Sequence, residues 1–412
     1  MPTRRGWTAF AAGLVTWIVA RIVASRDLHM LAAALVVLPW LATLLVRWTP
    51  TRLEIRRHLS TARASLGARV DVHLSIENAA HTTTAFLLLE DAVPAGLGRP
   101  ARLVAGGIPP RNQQTLPYSL LCKQRGRYQI GPVTIYLTDP FGLARMRVEA
   151  PARSELIVYP DVEDISASGL VTQGAGAGDA AVRHLYRSAA DFYTMREYVE
   201  GDDLRRIHWP SVARTGRLMI RQDESTRRSA ATLFLDTRQS ALGAYGAPGF
   251  ERAVSVAASL GRALSVAGFA LRVGMVDKAP TPMTEEQLLE LLAAVGPSRT
   301  QSLAPSMANL RASSPSDSTL AVVTAPPLSA EVGLLSRIGV AFGRRIAVFV
   351  YPVNPSVLTV DAAAELEGRA TAARASLGRA GWDIYLVHPE GRLADVWRLK
   401  RVGKLLAVGS SS

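Results

Sequence analysis

The chain has 412 residues, a formal net charge of +13 and one cysteine, Cys122. That length holds two or three domains, each with its own core, and a lone cysteine excludes an intramolecular disulfide scaffold. Only Lys123, Lys278, Lys400 and Lys404 among the 47 basic residues are lysines, and the arginines are scattered without a basic run, so the charge does not mark a nucleic-acid arm.

Two apolar runs open the chain, WTAFAAGLVTWIVARIVAS at 7–25 and LHMLAAALVVLPWLATLLV at 28–46. Each approaches the ~20 residues a helix needs to cross the hydrocarbon core. Trp7, Trp40 and Trp48 lie towards segment ends, where indoles favour the headgroup layer. Arg21 is close enough to its segment end to snorkel, and Pro39 is tolerated where a neighbouring helix packs. A second apolar run without a small-residue cleavage site favours a hairpin over a signal peptide. Arg4 and Arg5 precede the hairpin, and Arg47, Arg52, Arg56 and Arg57 follow it, against Arg26 in the turn. The positive-inside rule then places the N-terminus and everything after the hairpin in the cytoplasm. Residues 1–48 are therefore expected to be a transmembrane helical hairpin in a plasma membrane, with the soluble domains cytoplasmic.

Residues 50–160 read as an antiparallel, immunoglobulin-like β-sandwich. Val70, Val72, Leu74 and Ile76 alternate with Asp71, His73, Ser75 and Glu77, the period of a strand with one buried face. The DPFG run, Asp139 to Gly142, fits a type I turn, with Asp first, Pro second and Gly fourth. Residues 161–190 read as a Gly/Ala-rich linker, whose GAGAGD lacks both the dinucleotide spacing and the Lys-Ser/Thr of a phosphate loop. From residue 228 to 405 strand and helix patterns alternate, which implies a doubly wound, mostly parallel sheet covered by helices. In that half Thr284 is positioned to cap the helix TEEQLLELLAAVG.

The first strand of this half runs into DTRQS, Asp236 to Ser240. It resembles the metal-site start of von Willebrand factor A domains, Asp-x-Ser-x-Ser, which implies an α/β fold of that kind. Arg238 stands where an oxygen ligand belongs, and TLAVVTA ends in Thr324-Ala325 where the family would place another aspartate. Asp236 and Ser240 are thus a degenerate metal site: the expectation is no cofactor, with Mg2+ as the ion to test, and Asp236 paired with Arg238.

Between linker and α/β half, residues 191–227 hold the densest polar stretch, REYVEGDDLRRIHWPSVARTGRLMIRQDE from Arg196 to Glu224. Gly201 suits a tight turn, after which Asp202 or Asp203 can cap LRRIHW. Arg205 and Arg206 offer planar forks to carboxylates, Ile207 and Trp209 are expected to face inward, and Gly216 to turn into a strand. Ser211 lacks a nucleophile-elbow context and His208 an acid partner, so no catalytic residue is assigned. Asp202, Asp203, Arg205 and Arg206 are read as a partner-binding side, and Arg196, Tyr198, Gly201, Ile207, Trp209, Arg214 and Gly216 as structural.

This motif, with RGRYQIGPVTIYLTDPFGL at 125–143, resembles the bacterial family known as domain of unknown function 58. The resemblance extends to the layout of hairpin, β domain, motif and von Willebrand A-like half. Pro210 departs from it, since similar proteins carry a basic residue after the tryptophan. Members are typically encoded beside MoxR-type AAA+ ATPases and transglutaminase-like membrane proteins. The resemblance implies a membrane-bound partner or adaptor of a cytoplasmic ATPase. With no recognisable nucleophile or metal cluster and no clustered basic run, the leading expectation is a non-enzymatic, membrane-anchored adaptor with no nucleic-acid partner. The alternatives are a divalent-metal-dependent binding domain for a protein ligand and, third, a hydrolase.

Overall fold

The computed structural model describes residues 2–48, 52–84, 86–139, 141–165, 194–198, 207, 209–222, 230–315 and 318–398. The chain divides into two units, Met1–Pro160 with Glu290–Val295, and Asp161–Leu289 with Gly296–Ser412.

The first unit begins with two helices, α1 (Arg4–Val23) and α2 (Arg26–Trp48), both long and apolar enough to cross a membrane. They meet through small side chains: Ala20 and Ala32 are fully buried, whereas Trp17, Ile22, Leu41 and Leu45 are exposed. Small residues at the seam let two helices approach where lipid, not water, would surround them. Thr3 caps α1, its Oγ1 accepting from Gly6 N at 3.2 Å and donating to Gly142 O at 2.6 Å. Gly6 is obligatory there, because a Cβ would lie 2.3 Å from Leu143 O.

Ten strands follow: β1 (Leu53–Leu59), β2 (Arg63–Ser65), β3 (Arg69–Asn78), β4 (Leu87–Asp91), β5 (Ala101–Ala105), β6 (Gln113–Leu121), β7 (Gly126–Ile130), β8 (Val133–Thr138), β9 (Arg145–Ala150) and β10 (Ser154–Tyr159). They form three sheets, ordered β1-β3-β6, β5-β4-β8-β9 and β2-β10-β7. Leu74 and Ile76 of β3 pack with Leu87, Leu89, Ile135 and Leu137 in one core, while Val70 and Val72 join Leu156 and Val158 in a second. The pairing is not wholly antiparallel as expected: β2 runs parallel to β10, with Ile157 opposite Arg63. This pairing becomes available because β10 returns beside a short early strand after β7 has taken its other edge. Asp139 and Gly142 close a turn, with Gly142 N donating to Asp139 O at 3.0 Å and the Asp139 carboxylate accepting from Phe141 N at 3.0 Å. In the same unit the buried Arg125 donates Nη1 to the carbonyls of Leu292 (2.6 Å) and Val295 (2.9 Å), a structural duty for the first residue of the 125–143 stretch.

The second unit contains a ribbon of β11 (Thr194–Glu197) and β12 (Met219–Gln222), with helix α3 (Trp209–Thr215) between them in sequence. Its sheet is built from β13 (Ala230–Leu235), β14 (Ala270–Met275), β15 (Lys278–Pro282), β16 (Thr319–Thr324), β17 (Arg344–Val350) and β18 (Asp383–Val387). Its described helices are α4 (Gln239–Leu242), α5 (Pro248–Val266), α6 (Glu285–Ala294, of which the residues from Glu290 on belong to the first unit), α7 (Ala304–Ser313), α8 (Ser329–Gly339) and α9 (Val360–Arg379). The strand order is β15-β14-β13-β16-β17-β18, parallel except for the edge strand β15. The chain lays β14 and β15 on one side of β13, then β16 to β18 on the other, so the order reverses between β13 and β16. Thr284 and Gln287 close a reciprocal cap at α6, through Thr284 N to Gln287 Oε1 at 3.0 Å and Gln287 N to Thr284 Oγ1 at 3.3 Å.

Residues 161–165, assigned to the linker from composition, are packed on this unit. Glu163 is buried and accepts from Arg252 Nη1 and from Ala394 N, each at 2.9 Å, and Ser255 Oγ donates to Asp161 O at 2.8 Å. The rest of that linker, from 166 to 190, lies outside the described residues.

Candidate functional site

Asp236 follows β13 directly and Thr324 ends β16. Both stand at the carboxyl ends of the two strands flanking the reversal in strand order, the crevice where open α/β sheets bind ligands. Asp236 is fully buried. Its Oδ1 accepts from the Arg238 backbone N at 3.1 Å and from Arg238 Nε at 3.0 Å. Its Oδ2 accepts from Arg238 Nη2 at 2.8 Å and from Thr324 Oγ1 at 2.7 Å. Arg238 Nη1 then donates to Glu331 Oε1 at 2.5 Å and to Gln301 O at 3.1 Å.

A guanidinium therefore lies between two carboxylates where a divalent ion would need uncommitted oxygens. Burial alone would lower the Arg238 pKa, but the hydrogen bonds and charge of Asp236, then of Glu331, outweigh it and hold the guanidinium above its ordinary value. Ser240, the other residue of the degenerate site, is exposed on α4. Thr324, which replaces the expected aspartate, spends its hydroxyl on Asp236. Among the described residues no group of three His, Cys, Asp or Glu side chains could hold a metal ion. Asp236 and Arg238 were legible as a pair; Glu331, 93 residues along the chain from Arg238, was not.

The polar motif is divided by the fold. Arg196 on β11 pairs with Ile220 on β12, and Tyr198 N donates to Leu218 O at 2.8 Å, so the two ends of the motif close on each other. Gly216, expected to turn into a strand, follows the last residue of α3 at φ +69, its N–H donating to Val212 O at 2.8 Å, with β12 starting at Met219. Arg214 is exposed in the last turn of α3, a favourable place for a cation, and Ile207 is partly buried. Trp209 corrects the inward expectation: it is 67% exposed, because it opens a helix of 7 residues that is too short to bury a full face. Arg217 and Glu197 form an exposed ion pair at 2.6 Å, of the kind that adds little stability. Gly201, Asp202, Asp203, Arg205, Arg206 and His208 lie outside the described residues.

Sequence reading also missed a buried network. Arg57, assigned to the positive flank of the hairpin, grips Asp91 through Nε at 3.0 Å and Nη2 at 2.6 Å, and Tyr118 Oη donates to Asp91 at 2.6 Å. Burial, then the Asp91 bond and charge, raises the Tyr118 pKa well above its ordinary value.

The family model described as "Protein of unknown function DUF58" matches residues 194–323, from the start of β11 into β16. The uncharacterized protein YeaD of Bacillus subtilis (strain 168) is 23% identical over 226 residues, which cover 53% of this chain. The chain spans about half the length, 54%, of that curated relative. Solved structures with a local likeness include the CARDB domain of the PF1109 protein from Pyrococcus furiosus, at 13% identity and a TM-score of 0.21, covering 26% of this chain and 88% of that one. The C-terminal domain of Wzt gives 10% identity and a TM-score of 0.23 over 28% and 78%. Scores this low carry no argument about the fold. The model match over the motif and first strands, together with YeaD, supports kinship with the DUF58 family.

Proposed function

We propose that this protein is a non-catalytic adaptor, anchored in a bacterial plasma membrane by α1 and α2, that offers a von Willebrand factor A-like α/β half to a protein partner in the cytoplasm. The observation that carries the reading is the Arg238 guanidinium seated between Asp236 and Glu331. The crevice where such a sheet would gather ligand or metal is filled by the protein's own cation, which leaves recognition to the surface. The exposed Trp209 supports that view, since tryptophans are enriched among the residues that anchor protein interfaces. The exposed apolar side chains of α1 and α2 and the arginines at their outer ends support the anchor and its orientation. The family resemblance points to a MoxR-type AAA+ ATPase as the partner, with a transglutaminase-like membrane protein as a third member.

The test is affinity purification of the full chain from native membranes with mass spectrometry, comparing wild type, Trp209→Ala and Arg205→Glu. Recovery of an AAA+ ATPase that both substitutions diminish supports the adaptor. Equal recovery from all three chains removes the motif from recognition, and failure to recover any ATPase removes the partner.

A further inference from the structure

We propose that a basic pocket at the outer end of the helix pair holds the headgroup phosphate of an anionic phospholipid. The pocket, about 1270 Å³, lies wholly in the first unit. Arg4 and Arg5 of α1, Arg47 of α2, and Arg145 and Arg147 of β9 line it. None of its lining residues is acidic. Glu149 pairs with Arg147 from outside the lining, and the Arg145 guanidinium carbon sits 5.4 Å from the centroid of the Tyr136 ring, which orients its plane. Arginine's planar fork matches phosphate oxygens two at a time, so several forks around one concavity favour a phosphate ester over a diffuse anion.

The ligand must also have an apolar part. Trp40 lines the pocket two helical turns before Arg47, hence on the same face of α2, while it and the nearby Leu44 and Leu45 remain exposed. A water-soluble phosphate would use the arginines and leave this apolar flank unused. A phospholipid uses both, with its headgroup among the guanidiniums and its chains along α2. The helix ends and indole stand where a headgroup layer would lie, so the inference rests on the membrane reading above.

The test uses the full chain in detergent micelles with equal phosphatidylglycerol and phosphatidylcholine, with bound lipid counted by native mass spectrometry. Wild type should retain phosphatidylglycerol with a preference of about tenfold, or ~1.4 kcal/mol. Arg47→Gln/Arg145→Gln should lose that preference, and the charge-matched control Arg102→Gln/Arg127→Gln, on β5 and β7, should keep it. Equal loss in both double variants would mean net charge alone and overturn the pocket. Displacement of the lipid by an equal concentration of glycerol 3-phosphate would assign the pocket to a soluble phosphate ester and overturn the lipid. If the pocket variant fails to fold, equal retention of the two lipids by wild type overturns the proposal and a preference supports it. A carbonate wash of native membranes separates the two readings: a chain that resists extraction but shows no lipid preference refutes the pocket alone, and a chain that is extracted refutes the anchor.

Discussion

Removing the Arg238 cation while keeping its stem, as Arg238→Met does, probes the filled crevice directly. Asp236 would lose Nε and Nη2, keeping the residue 238 backbone N–H and the Thr324 hydroxyl, and Glu331 would lose Nη1. Asp236 has no exposed surface, so its charge would have no water to turn to. Breaking a buried pair from one side costs about 3–5 kcal/mol. In native-state hydrogen exchange of the full chain, that is roughly two to three and a half orders of magnitude faster exchange in β13 and β16, where opening reports local stability. Asp236→Asn/Arg238→Met should recover much of the loss, because the stranded charge is gone. Exchange within about threefold of wild type in the single variant would show that the pair contributes no more than an exposed one and refute the reasoning. Arg238→Ser adds a second arm by restoring an Asp-x-Ser-x-Ser run beside Glu331. Millimolar Mg2+ should then slow exchange in the variant, by up to ~2.7 kcal/mol of protection at a hundredfold excess over Kd, and leave wild type unchanged. Protection of wild type by Mg2+, abolished in Asp236→Ala, would restore the metal-site reading.

Trp209→Ala should lower stability by less than ~1 kcal/mol because the indole is already largely in water; a loss of ~3 kcal/mol or more by urea unfolding would mean a buried ring. Tyr385 gives an alkaline signature. Burial, then the negative charge of Asp383, partly offset by Arg344, pushes its pKa from 10.0 up to about 12. The unfolded chain ionises first, so the contribution is intact below pH 10.0 and falls away towards pH 12, by at most ~1.4 kcal/mol per pH unit. Tyr385→Phe should therefore flatten the fall in urea midpoint across that window, and parallel curves for variant and wild type would refute it. For topology, protease added to intact spheroplasts should spare residues 52–398, and digestion of that part would reverse the assigned orientation.

The elements that were legible in the sequence are those whose cause is local. Val70 to Ile76 showed a strand because alternation has a period of two, and all four apolar side chains are buried. The Thr284 cap and the Asp236–Arg238 pair were visible because their partners lie within three residues, although Gln287's reciprocal part in the cap was not read. β15 escaped because Pro280 and Pro282 argue against a strand, yet it lies at the sheet edge, where a missing N–H is tolerated. Trp209 was misjudged because aromatic character predicts burial only where an element is long enough to supply a face.

The buried network in the β region was overlooked although its signal was present. Arg57 shares a face of β1 with Ile55 and Leu59, Asp91 shares one of β4 with Leu87 and Leu89, and Tyr118 shares one of β6 with Leu116 and Leu120. Each polar residue interrupts an apolar stripe, and a charge in that position must be neutralised or abandon the stripe. Two such interruptions of opposite sign, here on strands of two different sheets, can neutralise each other in the core between them. Here they meet through a bidentate guanidinium, with a tyrosine hydroxyl donating a further hydrogen bond to the carboxylate. The DTRQS run obeys the same rule at shorter range, since a buried aspartate with an arginine two residues on supplies its own counter-ion. A charge that breaks an apolar period is thus a better guide to internal pairing in this chain than the overall charge of +13, most of which is scattered arginine.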